Sequence, residues 1–355
     1  MAWFDVSEIG RVQIELTNYC NAACPQCDRW EQWVDFKKGK RPSDNLNNRY
    51  YTLQDIQNIF GRYDWSNLDY LHYCGNVDEP TTNPEMIEIT EYFLTLNNTM
   101  NIAVATNGGT RNEEFWQRLG EISAETNLFV HFGIDGLEDT NHIYRRNVKW
   151  DILENNFRTY IKAGGKAVWQ FIVFSHNKHQ LEDVKKRADE EGFISFNIIQ
   201  SGRSEVETVE DAPKKKKPEK VEVEKVEIPE WYDKGKGDSI NGKTFKELRD
   251  ANITLECVQC PARKDSSVSK FHKTKGNIYI SADGYLVPCC WMGNLRELEK
   301  LWSTYDFLNR HDHNVLHRPI ADILQGQVWS FIDEEQQNID LCVKKCKELI
   351  GDSHL

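Results

Sequence analysis

The stretch Val12-Gln-Ile-Glu-Leu-Thr-Asn-Tyr-Cys20-Asn-Ala-Ala-Cys24-Pro-Gln-Cys27 carries the heaviest structural constraint in the chain. Its first half, Val12 to Thr17, reads as a strand, and the cysteines follow on the loop that leaves it. Three thiols at this spacing can point at one centre. Thiolates are the soft ligands that iron–sulfur clusters prefer. Three ligands on a four-iron cube leave one iron open, where a small molecule can chelate. A zinc site is the rival reading. Zinc asks for a fourth ligand, usually from paired CxxC or Cys/His modules, and no His stands near these cysteines in the sequence.

Outward from this loop, apolar runs and amphipathic segments alternate. Strand-like runs stand at Tyr70–Cys74, Ile102–Ala105, Phe129–Ile134, Val168–Phe174 and Ile194–Ile199. Helical spacing appears at Thr52–Phe60, Pro84–Leu96, Asn112–Ala124, Trp150–Ala163 and Leu181–Glu191. Thr52 is in place to cap the first helix. Six strands with five intervening helices predict an α/β fold with a parallel sheet. A doubly wound sheet and a partial barrel share this periodicity. In either, the chemistry-bearing loops follow the C-terminal ends of the strands.

Composition narrows the classes. The chain has 355 residues, 39% of them hydrophobic, enough for one large domain and a smaller one. A net charge of −12 argues against a sequence-independent nucleic-acid binder and against an anionic membrane surface. No apolar run approaches a membrane span. The start, Met-Ala-Trp-Phe-Asp, lacks the basic n-region of a signal peptide. Ten clustered cysteines without a secretion signal read as metal ligands in a reducing compartment, so a cytoplasmic, oxygen-sensitive protein is expected.

Cys20-X3-Cys24-X2-Cys27 resembles the signature of the radical S-adenosylmethionine (SAM) superfamily. The resemblance implies a partial (β/α)6 TIM-type barrel and a [4Fe-4S] cluster on Cys20, Cys24 and Cys27. Its open iron would hold the amino and carboxylate groups of SAM. An electron from the cluster would split the sulfonium, and the 5′-deoxyadenosyl radical would abstract hydrogen from a substrate. The cofactors carry that chemistry, and the protein positions and shields it. Cys74-Gly75-Asn-Val-Asp78-Glu79-Pro80 resembles the family's Gly-Gly-Glu-Pro motif, with Asp78 where the second Gly is usual. Gly75 and Glu79 carry over as holders of the SAM amino group. Thr106-Asn107-Gly108 matches a triplet common after the third strand, where Gly pairs allow close approach of backbone to ligand. Gly133-Ile-Asp135-Gly136 with Tyr144-Arg145 resembles a Ser-Ile-Asp-Gly…Tyr-Arg pattern. The resemblance places polar groups here, Asp135 among them, near the ribose and carboxylate of SAM and lets Arg145 pair with that carboxylate, with Gly133 in place of the usual Ser. The residue before the third cysteine, often aromatic in the family, is Gln26 here. Cys74 reads as a small core residue of its strand.

Ser204 to Pro229 is Glu/Lys/Val-rich, with Lys214–Lys217 in a run. It reads as a charged linker or insertion. The chain thus divides into a barrel over 1–203, a linker over 204–238 and a cluster-binding domain over 239–355. In the last, alternation in Ile278 to Ile280, an Asp-Gly turn and Tyr285 to Val287 predict a β-hairpin delivering Cys289. Gly284-X4-Cys289 resembles the SPASM or shorter twitch extension, which holds auxiliary [4Fe-4S] clusters. Six thiols remain there, too few for two full clusters, which need about eight. The best ligand set for one is Cys260, Cys289, Cys342 and Cys346. Cys257 can replace Cys260, and Cys290 can replace Cys289. Zinc on the same thiolates is the rival, with His311, His313 and His317 as further candidates only under that reading.

The expected function is reductive SAM cleavage, then hydrogen abstraction from a peptide or small-molecule substrate. An external one-electron donor of flavodoxin or ferredoxin type is implied. Two other readings stay open. One is a non-enzymatic iron–sulfur or zinc scaffold. The other is a nucleic-acid-modifying enzyme that uses Lys37–Arg41 and the Lys run.

Overall fold

The structure, a computed structural model, describes residues 5–24, 27, 49–74, 77–200, 276–290, 292–293, 310–327, 329 and 331. Gly75, Lys37–Arg41, the linker and Cys257, Cys260, Cys342 and Cys346 fall outside the described residues.

Six strands alternate with helices. They are β1 Ile9–Ile14, α1 Leu53–Phe60, β2 Tyr70–Tyr73, α2 Met86–Leu96, β3 Asn101–Thr106, α3 Glu113–Glu125, β4 Leu128–Gly133, α4 Trp150–Lys162, β5 Lys166–Val173, α5 Leu181–Glu191 and β6 Ser195–Gln200. All neighbouring pairs from β1 to β6 run parallel, in the spatial order of the sequence. A doubly wound sheet would reverse that order at a switch point. The consecutive order selects the partial barrel.

Local chemistry starts and stops the elements. Thr52 and Asp55 form a capping box at α1, and Asn112 caps α3 by accepting from the Phe115 N–H. Gly192 ends α5 at φ +85°. The helices bury their apolar stripes on one sheet face. There Trp116, Phe132, Phe157, Trp169 and Phe193 interlock, with the Trp169 and Phe193 ring centroids 5.0 Å apart. Gly120 lets α3 meet α4, since a Cβ there would lie 2.5 Å from the Tyr160 carbonyl oxygen. No helix among the described residues is long and apolar enough to cross a membrane.

The hairpin forms as expected, from β7 Gly276–Ile280 and β8 Leu286–Val287, with Gly284 at φ +99° in the turn. Its location was not expected. β7 runs parallel to β1, Val12 opposite Ile278 and Ile14 opposite Ile280, so the hairpin extends the barrel sheet to eight strands. An open barrel leaves the backbone groups of its first strand unpaired, and the hairpin covers that edge. The short helix α6, Ile320–Leu324, follows the segment that closes the turn, where Asn314 donates to the Asp283 carbonyl (2.8 Å).

Glu15 locks this arrangement. It is 2% exposed, and its two oxygens accept from the Val77 and Ala282 N–H groups at 3.0 Å each. One carboxylate thereby joins the loop after β2 to the hairpin turn. Glu15→Ala strands two backbone donors, and is expected to lower unfolding free energy by about 1–3 kcal/mol. Urea denaturation checks this, and an unchanged midpoint would contradict it.

Candidate active site

The loop Cys20–Cys27 leaves β1 and is gripped by three other loops at the C-terminal edge of the sheet. From the loop after β2, Glu79 donates its N–H to the Tyr19 carbonyl (2.8 Å). From the loop after β3, Asn107 Nδ2 donates to Asn21 Oδ1 (2.8 Å) and lies 3.8 Å from Cys20 Sγ. From the loop after β4, the Arg146 carbonyl accepts from the Ala23 N–H (2.9 Å). Within the loop, the Cys27 N–H donates to the Cys24 carbonyl (3.2 Å). Cys24 is buried, and Cys20 and Cys27 are half-buried.

Glu79 is buried among donors. Oε1 accepts from Thr106 Oγ1 (2.5 Å), Thr81 Oγ1 (2.7 Å) and Thr81 N–H (3.3 Å), and Oε2 from Asn107 N–H (2.7 Å). Burial pushes its pKa up against those hydrogen bonds, which pull it down. Its carboxylate thus ties the second loop to the third. Oε2, with one partner, keeps acceptor capacity.

Asp135 and Arg145 make one unit. Arg145 Nε donates to Asp135 Oδ2 (2.6 Å), and Asp135 Oδ1 accepts from the Ile172 N–H (2.7 Å). Asp135 is fully buried and therefore fixes Arg145, joining the ends of β4 and β5. Burial acts to lower the Arg145 pKa, but the charges of Asp135 and Cys24 outweigh it and the net shift is upward. A guanidinium fixed by Asp135 therefore stands after the end of β4.

Gly133 explains itself here. A Cβ on it would sit 2.7 Å from Arg145 Nη2, so the guanidinium fills the place of the usual Ser side chain. The second departure resolves similarly. Asp78 Oδ2 accepts from the Leu16 N–H (3.1 Å), which pins the motif loop to the end of the first strand run. Sequence reading missed both contacts, along with Thr81 and Arg111. Arg111, at φ +70°, donates to the Thr81 carbonyl (2.5 Å) and to the Asn83 carbonyl. The sequence carried a signal for Asp78 and Gly133, as breaks in a pattern, and for Thr106, as part of its triplet, but none for Thr81 or Arg111.

The donor set suits a cluster. Cys20, Cys24 and Cys27 share one loop at the sheet's C-terminal edge, and thiolates are the soft ligands that iron–sulfur clusters take. Cys289 and Cys290 follow β8 and are half-buried. His313 is buried, which pushes its imidazole down to about 4, while His311 and His317 are exposed with ring centroids 5.8 Å apart.

The Radical SAM superfamily profile matches residues 14–188, from the first strand to the last barrel helix. The chain belongs to the radical SAM superfamily. As a radical SAM enzyme it uses a [4Fe-4S] cluster and SAM. Solved structures share its fold. Streptococcus suis SuiB matches at TM-score 0.57 and 12% identity, over 92% of this chain and 68% of that one. SuiB bound to its precursor peptide SuiA matches at 0.55 and 12%, over 93% and 67%. Native anSMEcpe with bound SAM matches at 0.52 and 12%, over 89% and 80%. No curated protein sequence matches the chain.

Proposed function

We propose that this radical SAM enzyme cleaves SAM reductively at Cys20, Cys24 and Cys27 and uses an auxiliary [4Fe-4S] cluster in a SPASM/twitch-like C-terminal domain. Cys20, Cys24 and Cys27 would hold the cluster, which would supply the single electron that splits SAM into methionine and a deoxyadenosyl fragment able to take a hydrogen atom from substrate. Gly75, Glu79, Asn107, Asp135 and Arg145 form the SAM side of the site. Arg145 presents its guanidinium to the SAM carboxylate, a planar anion it suits, and Asp135 holds it there. Glu79 Oε2 is the acceptor for the SAM ammonium. Asn107 orients the Cys20 thiolate.

The observation that carries this reading is the convergence of the loops after β2, β3 and β4 on one cysteine loop, through Glu79 on Tyr19, Asn107 on Asn21 and Cys20, and Arg146 on Ala23. The auxiliary cluster would take Cys260, Cys289, Cys342 and Cys346 as ligands. The hairpin supports this, because it brings Cys289 to the sheet that bears the first site. The domain boundaries remain 1–203, 204–238 and 239–355, with the hairpin as the contact between outer domains. A flavodoxin- or ferredoxin-type donor supplies the electron, and the substrate is a peptide or small molecule.

SAM binding tests the reading. Added to the reconstituted, reduced protein, SAM should shift the EPR spectrum of one of two clusters. Cys289→Ala should lower iron from about eight to about four per chain while that shift persists. A spectrum indifferent to SAM would contradict the cluster assignment, and unchanged iron in the variant would remove Cys289 from the ligands.

A further inference from the structure

The barrel interior has its own chemistry. On β2 to β4, Leu71, Tyr73, Ile102, Val104, Leu128, Val130 and Phe132 join the core under the helices. The alternate residues face the other way, into the lumen. At its base, Tyr70, Ala103 and Phe129 form a separate apolar cluster. Next to that floor stand His72, opposite Gln13 on β1, and His131, opposite Ala105 on β3. Their rings lie edge-on to the floor, His72 at 6.0 Å from Tyr70 and His131 at 5.5 Å from Phe129. The alanines at 103 and 105 leave β3 without bulk between the two imidazoles. Two residues beyond Ala105 on the same face, Asn107 touches Cys20.

His72, His131 and Gln13 are 8%, 2% and 3% exposed. Neither nitrogen of either imidazole has a hydrogen-bond partner, and neither does Gln13 Oε1. An unpaired buried polar group is destabilising, so this layer is built at a cost that a ligand can offset. Burial, then Arg11 and His131, push His72 well below its ordinary pKa, and burial takes His131 to about 3. Both are neutral, each with one donor and one acceptor. Farther round, Gln170 and Asn197 stand opposite each other on the same lumen face of β5 and β6. The layer is therefore uncharged, and each of its members both donates and accepts.

We propose that this layer reads the substrate and takes an uncharged carboxamide-like group, such as a peptide backbone amide or an Asn or Gln side chain. A carboxylate or phosphate would find no cation among these five side chains, and the nearby Arg11 guanidinium is stacked at 4.5 Å on the Tyr70 ring of the floor. An alkyl group would leave its nitrogens unpaired. This deepens the reading above and rests on it, because the lumen face leads to the cysteine loop.

The test uses the cluster- and SAM-loaded protein in anaerobic equilibrium dialysis. The probes are radiolabelled N-acetylglycinamide, which is neutral, and N-acetylglycine and glycinamide, which are charged. The neutral diamide should bind saturably, about 10-fold more tightly than either charged probe. His72→Phe and His131→Phe should each weaken it by about 10-fold, and His72→Gln should restore most of the affinity. Equal affinity for a charged probe, no saturable binding of the diamide, or a diamide affinity indifferent to both Phe variants would overturn the proposal. The probe comparison on the unmutated protein decides the matter even if a Phe variant fails to fold. Deoxyadenosine formation without probe reports separately on SAM cleavage, so failure there is distinguishable from failure here.

Discussion

Cys24→Ala is expected to reduce 5′-deoxyadenosine formation to background. Cys24 is the buried member of the three thiols. Its loss leaves two ligands for a cube that needs at least three from the protein when SAM occupies the remaining iron. The loop itself should survive, because its ties to Glu79, Asn107 and Arg146 run through other residues. Iron at the auxiliary site should also remain. Chromatography after dithionite reduction and SAM addition reads the product, and colorimetry reads the iron. A variant that still makes deoxyadenosine would remove Cys24 from the cluster.

Gly133→Ser tests the other side of the site. Restoring the residue that the family pattern favours should harm this enzyme. The new Cβ would stand 2.7 Å from Arg145 Nη2 and 3.0 Å from its Cζ. Arg145 is held by Asp135, so it can yield only by giving up that pair or by tilting away. A displacement on the order of 1 Å costs about 10²-fold in rate when the group positions a reactant. The expected result is a fall of that size in SAM cleavage at subsaturating SAM, with cluster iron retained. Gly133→Ala should do the same, because the Cβ alone makes the clash. Normal activity in both variants would show that Arg145 does not position SAM.

Much of this was legible from residue order. The period of two in the strands and 3.6 in the helices gave six strands and five helices to within about two residues, except β1, which runs Ile9–Ile14 rather than Val12–Thr17, and Thr52 announced the start of α1. The Asp-Gly turn gave the hairpin. Its pairing with β1 was not legible, since β1 and β7 lie more than 250 residues apart and nothing local in either names the other. The roles of Asp78 and Gly133 were hidden for a related reason. Each looked like a missing family feature, and only the neighbouring backbone of Leu16 and the Arg145 guanidinium show what took the vacated place. Glu79 and Asp135 were correctly drawn to the site, but their hydrogen bonds to Thr81, Thr106, Asn107 and Ile172 could not be read from spacing. The polar lumen left a visible trace. Gln13, His72, His131 and Gln170 interrupt otherwise apolar strands at positions that alternate with the helix-facing core. The sequence analysis drew nothing from that trace, because the side each residue faces is set by a register that only the structure shows.

Product formation by the unmutated protein tests the central claim most directly. The chain is reconstituted anaerobically with iron and sulfide, its iron is counted, and dithionite and SAM are added. The account predicts about eight irons per chain together with 5′-deoxyadenosine and methionine in equal amounts. Full iron with no SAM cleavage, in the presence of an active reductant and carboxamide-bearing peptides, would contradict it and favour the iron–sulfur scaffold.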